Sequence, residues 1–322
     1  MITITHVFMA KQDQVKLRIE GMLIAVIRYD NTYSSSMLTS FFNRTVLGHD
    51  LSKLRTKGHY PVRGLLGPFE IGLTASSFIN IYALPSYTIA AILFHEDQNF
   101  FIHHGFHWAE IRRRVFDYMT AKGVRGSGSS ISQQTARQIN LIPYSSLSQK
   151  LKEAFLTIEL EQKFTKEEIL ALYLSTVFLG GAEVVGITSA SERYFNKAPS
   201  ELTLHESIFL AQLPEGPRFK ESTLLQPNWQ KYFNLVRAHT KFRDLLLYYY
   251  YSFGIDAAAD LKQISASELI AALKKSSCID KSIVDPHTFT ALDQRAALEV
   301  LEMKRLIDRL AERRSTILGL PS

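Results

Sequence analysis

Apolar and polar positions fall in blocks whose period is mostly helical. From Tyr87 to Phe94 apolar residues run almost unbroken behind Pro85, which predicts a buried helix opening at the proline and ending near Glu96. Phe106, Ile111, Val115, Phe116 and Met119 recur at near-helical spacing within Phe106 to Thr120, with Arg112, Arg113 and Arg114 among them. That segment reads either as an amphipathic helix on an anionic membrane or as a solvated basic face on a core-packed helix. Ser146 to Gln162 sets Leu151, Phe155 and Ile158 on successive turns, and Lys166 to Phe178 predicts another helix, broken by Gly180 and Gly181. Two shorter helices follow, over Ile187 to Phe195 and Leu202 to Leu213. The second opens with Thr203 and has Glu206 three residues on, a capping-box spacing, and Pro214 and Pro217 close it.

Beyond Lys220 the pattern stays helical, through Trp229 to Tyr251, Ser265 to Lys275 and one long charged helix from Ala291 to Leu318. The Tyr-rich stretch from Leu245 to Phe253 fits core packing better than an interfacial aromatic belt. Lys16 to Tyr29 has the β-branched, apolar character of a strand, whereas Tyr33 to Asn43 is Ser-rich and looser. The fold class expected is mostly α, and 322 residues suit one large domain with an appendage.

A formal net charge of +6 favours acidic partners without choosing among nucleic acid, anionic lipid and phosphorylated sugar carriers. The single cysteine, Cys278, excludes an internal disulfide framework. A membrane-spanning helix needs roughly 20 apolar residues. Leu65 to Phe94 comes nearest, but Pro68, Glu70, Asn80 and Pro85 interrupt it, and the N-terminus lacks the features of a signal peptide.

Candidate chemistry centres on Glu96 and Asp97, which follow a buried helix directly and so emerge at a cleft. Glu153 lies on a separate predicted helix beyond the Gly/Ser loop of Gly123 to Ser132. Two carboxylates from different segments can assemble acid/base work on a glycosidic bond, although Glu153, with Lys150 and Lys152 just before it, also fits a surface ion pair. The loop's N–H groups at a helix start suit phosphate, with Arg125 and Arg137 adding charge; such loops also serve as plain linkers. His95, His103, His104 and His107 cluster, but without an H-E-x-x-H spacing and with Cys278 remote. Structural or hydrogen-bonding roles are therefore favoured over zinc. There is no G-x-S-x-G elbow, Walker loop or K-T-G element.

In combination these residues resemble the peptidoglycan glycosyltransferases, glycosyltransferase family 51, from about Leu84 to Pro217. The motif E-D-x-x-F-x-x-H-x-G-x-D is met by Glu96, Asp97, Phe100, His103 and Gly105, with His107 in place of the last Asp. G-G-S-T-I-T-Q-Q-x-x-K aligns with Ser127 through Gln134 and Arg137. R-K-x-x-E reads Gln149, Lys150 and Glu153. K-x-x-I-L-x-x-Y-L-N reads Lys166, Ile169, Leu170, Tyr173 and Leu174, with Ser175 for Asn. Gly186, Ala190, Tyr194, Phe195 and Lys197 complete the series.

The resemblance implies a lysozyme-like, two-lobed helical domain with a small hydrophobic, membrane-facing jaw. It further implies polymerisation of lipid II into glycan strands with release of lipid pyrophosphate. By it, Glu96 is the general base, and Glu153 assists the leaving group directly or through a divalent cation such as Mg²⁺, Glu153 being the one metal ligand offered. Ser130, Gln134, Arg137 and Lys150 would supply donors and cations to the substrate, and Asp97, Phe100 and His103 would shape the cleft wall. The partners implied are lipid II, undecaprenyl-pyrophosphate-linked glycan, the membrane surface and other cell-wall synthesis proteins, with no nucleic acid. The place implied is the outer, periplasmic face of the cytoplasmic membrane. Residues 81–220 would form the glycosyltransferase domain, between an N-terminal segment of 1–80 and a helical extension of 221–322. Gln149 for Arg removes a bidentate phosphate donor. Two competing expectations stand beside the transferase: a divergent non-catalytic relative that binds lipid-linked sugar or a cell-wall partner, and a lysozyme-like hydrolase, for which the two carboxylates would suffice.

Overall fold

The computed structural model describes residues 60–64, 67–71, 78–107, 129–139, 147–180, 184–214, 240, 242–248, 265–275 and 286–318. The expected strand of Lys16 to Tyr29, the Arg112 helix, the Gly/Ser loop before Ser129 and the aromatic run past Tyr248 lie outside them.

The described chain is mostly α. A two-stranded antiparallel hairpin leads it, β1 (Tyr60–Gly64) and β2 (Gly67–Ile71), with Val62 opposite Phe69. Pro68 and Glu70, which interrupt the apolar run in the sequence, are residues of β2. After a 3-10 turn at Ile81–Ala83 comes α1 (Ser86–Glu96), entered through Pro85, and its last turn closes as Asp97 N–H donates to Leu93 O at 2.8 Å. Then follow α2 (Ile131–Ile139), α3 (Leu147–Lys163), α4 (Lys166–Thr176), α5 (Gly186–Phe195) and α6 (Leu204–Ala211).

The capping box read at Thr203 and Glu206 is present. A second one, Thr165 with Glu168, opens α4. The C-terminal helices are α7 (Ala266–Lys275), α8 (Pro286–Glu312) and α9 (Arg314–Leu318). The predicted single helix of Ala291 to Leu318 thus starts earlier, at a proline whose fixed φ suits a first turn, and is interrupted at Arg313.

Eight consecutive residues of α4, Ile169 to Thr176, are buried, so this helix is covered on every side. β2, α2, α3 and α5 pack around it. Ser175, where the family pattern has Asn, accepts from Ile79 N–H at 3.1 Å and donates to Ala171 O at 2.8 Å. Its hydroxyl ties the approach to α1 onto α4. Helix α1 lies against α6 and α7, and α6 in turn packs on α8.

The described residues of the C-terminal extension therefore share one hydrophobic cluster with those of 81–220. Leu245 to Tyr248 are buried in it, so this part of the aromatic stretch packs in the core. Between α6 and α8, His205 Nε2 and Arg295 Nη2 each stand 2.5 Å from the buried carboxylate of Glu299, the His205 contact lacking hydrogen-bond alignment.

Gly186 has φ +80°, and a Cβ there would meet Ser175 O at 2.7 Å. Its N–H donates to Val177 O at 2.8 Å, folding the start of α5 back onto the end of α4. Both the dihedral and the contact exclude a side chain. Gly186→Ala is expected to destabilise the protein by about 2–4 kcal/mol, read by urea unfolding. A change below about 0.5 kcal/mol would refute this account of the turn.

Candidate active site

Helix α2 organises the site, and its sequence explains its start. Ser130 is the N-cap: its Oγ accepts from Gln133 N–H at 3.1 Å, and its own N–H donates to Gln133 Oε1 at 3.2 Å. The same hydroxyl donates to Gly105 O at 2.5 Å. Ser130 is wholly buried, so it builds the site from beneath and its hydroxyl is already engaged. The opening N–H of the helix, from Ile131, goes to Asp97 Oδ2 at 2.9 Å. The helix start that read as a phosphate cradle thus already holds an anion of the protein's own.

Consecutive glutamines on this helix reach the two glutamates. Gln134 Nε2 donates to Glu96 Oε2 at 2.7 Å, and Gln133 Nε2 donates to Glu153 Oε1 at 3.3 Å. Gln134 belongs to the expected site; Gln133 was missing from it. The doubled glutamine in the sequence was its available signal, because adjacent helical residues point about 100° apart and can serve two different groups.

Glu96 sits half-buried at the end of α1. Burial pushes its carboxyl up to about 6, and the charge of Asp97 adds to this. The Gln134 hydrogen bond and Arg137 partly offset the rise. Asp97 goes the other way: burial alone would raise it, but hydrogen bonds from His103 and His107 outweigh that and hold it at about 2. Neighbouring carboxyls of opposite tendency suit different tasks.

Glu153 is buried at 3% exposure, which overturns the surface ion-pair reading. Arg137 Nη1 lies 3.3 Å from its Oε2, and Lys150 Nζ pairs with its Oε1. Two cations against one anion leave this corner with a net charge of one positive unit. Arg137 is 8% exposed, whereas the Lys150 side chain is 40% exposed. Phe100, expected on the cleft wall, lies wholly inside the core, its ring under Lys166 Nζ at 4.6 Å.

Asp97, His103 and His107 bring three ligand-type atoms within 4.8 Å of one another, the kind of group that can hold a metal ion. The hydrogen bonds argue otherwise. Gly105 N–H donates to His103 Nδ1 at 3.1 Å, so the ring proton of neutral His103 sits on Nε2, facing Asp97 at 2.9 Å. A metal there would need that nitrogen's lone pair and would force a proton onto Nδ1, against another N–H. Two imidazoles also suit Mg²⁺ poorly, since it favours oxygen ligands. At Glu153 the two cations and Gln133 already engage both oxygens. Neither group fits a resident Mg²⁺ in this geometry.

The family described as Transglycosylase matches residues 69–241. Among similar proteins, penicillin-binding protein 1A of Aquifex aeolicus (strain VF5) is 36% identical over 148 residues, 46% of this chain and 20% of that protein. Penicillin-binding protein 1A of Rickettsia felis is 38% identical over 144 residues, 44% of this chain and 18% of that one. Its namesake in Escherichia coli (strain K12) is 36% identical over 139 residues, 43% and 16%. The chain therefore matches only about a fifth of the length of these relatives. With more than half of its 322 residues inside the matched region, the chain belongs to the transglycosylase family.

Proposed function

We propose that this protein is a peptidoglycan glycosyltransferase that polymerises lipid II. The observation that carries the reading is the α2 glutamine pair, which holds a carboxylate of raised affinity for protons on one side and a cation-rich corner on the other. In the reaction, Glu96 takes the proton of the acceptor sugar's 4-hydroxyl as that oxygen bonds to C1 of the donor. The bond from C1 to the pyrophosphate oxygen breaks, and the lipid pyrophosphate leaves with its negative charge. Lys150 and Arg137 stand where that charge needs cations, with Glu153 keeping both in place. Gln134 orients the base, and Asp97 and His103 hold α2, the helix that carries Gln134. Phe100 and Ser130 contribute through the shape of the site.

Residues 81–220 carry the chemistry, with 1–80 ahead of it and the described residues of 221–322 packed in support. The setting that follows is the outer face of the cytoplasmic membrane, with lipid-linked glycan and other cell-wall synthesis proteins as partners. Among the described residues no helix is long and apolar enough to cross a membrane.

The test is purified full-length protein with labelled lipid II in detergent or vesicles, scored for glycan polymer. Unpolymerised substrate under conditions where a reference polymerase works would defeat the reading. Release of fragments from finished cell wall would instead favour the hydrolase.

The base must be ionised, so activity should rise with pH and level off above about 6, falling about tenfold per unit below that. Gln134→Met removes a hydrogen bond that lowers the Glu96 pKa, and so should move this limb to higher pH. A pH–rate profile of kcat/KM for both proteins reads the shift; a limb that stays in place or moves to lower pH contradicts the assignment of Glu96 as base. The stability contribution of Glu96 has the corresponding sign: it declines as pH rises from the ordinary carboxyl range through about 6, because the folded form holds that proton more tightly.

A further inference from the structure

Position 107 departs from the E-D-x-x-F-x-x-H-x-G-x-D pattern, and the exchange has a clear place in the fold. The Asp97 side chain has no exposed surface: its Oδ2 accepts from Ile131 N–H and His103 Nε2, and His107 Nε2 stands against its Oδ1, each at 2.9 Å. The two imidazoles contact each other edge to face, with ring centres 4.5 Å apart. His103 is already oriented from behind by Gly105. An aspartate at 107 in this geometry would set a second carboxylate against a buried one, whereas histidine supplies a donor. The Ile131 N–H that Asp97 accepts is the first of α2, and three residues further on the same helix carries Gln134 to Glu96.

We propose that His107 is a positioning residue: by donating to Asp97 it holds the start of α2, and through Gln134 the side chain of Glu96, in the geometry the reaction needs. A buried carboxylate with fewer donors turns or draws in water, because each unsatisfied oxygen is costly. The movement passes to Gln134 because Asp97 grips the rigid backbone of α2. A base displaced by a fraction of an ångström loses rate far more than it loses binding.

The effect on rate rests on the glycosyltransferase reading; the effect on α2 does not, and the experiment separates the two. In the full-length chain, amide hydrogen exchange at Ile131 and lipid II kinetics are measured for wild type, His107→Ala, His107→Gln and His107→Glu. Gln and Glu have nearly the same shape, but only Gln offers an N–H. His107→Ala is expected to speed exchange at Ile131 and lower kcat about tenfold each, with KM within about twofold. His107→Gln should restore both to near wild type, and His107→Glu should be at least as impaired as His107→Ala.

Unchanged exchange at Ile131 in His107→Glu overturns the proposal whatever the activity. So does equal behaviour of the Gln and Glu variants, or a full kcat in His107→Ala beside an active wild type. If wild type forms no polymer while exchange follows the expected order, the positioning role stands and the assigned reaction falls. Should His107→Ala unfold, exchange rises along the whole chain, and the Gln and Glu pair alone decides.

Discussion

Glu96→Gln is expected to reduce lipid II polymerisation by on the order of 10³-fold while leaving the melting temperature within a few degrees. The amide cannot take the proton of the attacking hydroxyl, so the loss falls on kcat. Its shape matches the carboxylate, and Gln134 Nε2, now 2.7 Å from an acceptor oxygen, can keep a partner in the amide oxygen. The carboxyl's raised proton affinity comes mainly from burial, which Gln does not suffer, so folding stability should hold or rise at neutral pH. Side-by-side polymerisation assays and melting curves decide the matter. A variant that retains a tenth or more of wild-type turnover would show that another group takes the proton.

The second large effect is expected at Glu153, and it should appear first in stability. Glu153→Ala leaves Arg137, 8% exposed, without the carboxylate that sits 3.3 Å away, and leaves Gln133 without its acceptor. Removing one partner of a buried ion pair costs about 3–5 kcal/mol, because the other charge remains buried. Urea unfolding measures this, and a loss under 1 kcal/mol would mean that Arg137 finds water or another anion at little cost. Turnover should fall as well, since Arg137 and Lys150 lose the group that aims them at the departing pyrophosphate. The combined variant Glu153→Ala, Arg137→Ala should recover part of the stability but none of the activity, which separates packing from chemistry.

The parts of this architecture that local rules govern could be read from the chain. Pro85 and the apolar run to Phe94 marked α1, and Thr203 with Glu206 marked the cap of α6, because a cap is a contact between residues three apart. The same rule applied at Ser130 and Gln133, but the surrounding Gly/Ser composition read as a loop that awaited phosphate. The hairpin of β1 and β2 escaped notice because proline and glycine dilute its alternation of apolar and polar residues.

Relations across space were harder. Asp97 capping α2 joins residues 34 apart, and Glu153 becomes a buried anion only once α2 packs on α3 and brings Arg137 to it. Motif order located the two glutamates. The burial of Phe100 and Ser130, and the tautomer of His103, depend on neighbours that spacing does not specify.

Moving this fold into another protein would take more of the chain than the family match covers. The family match ends at residue 241, yet α7 lies on α1, and α8 lies on α6. Between them they bury Leu269, Ile270, Leu273, Leu292, Val300, Met303, Leu306, Ile307 and Leu310. Burial favours folding by about 1.5–3 kcal/mol for each such side chain, before the entropy of ordering the helices is set against it. A cut at 241 would bare the back of the helix that presents Glu96. The portable module, the piece an engineer could graft and expect to find folded, is therefore longer than the part its relatives share.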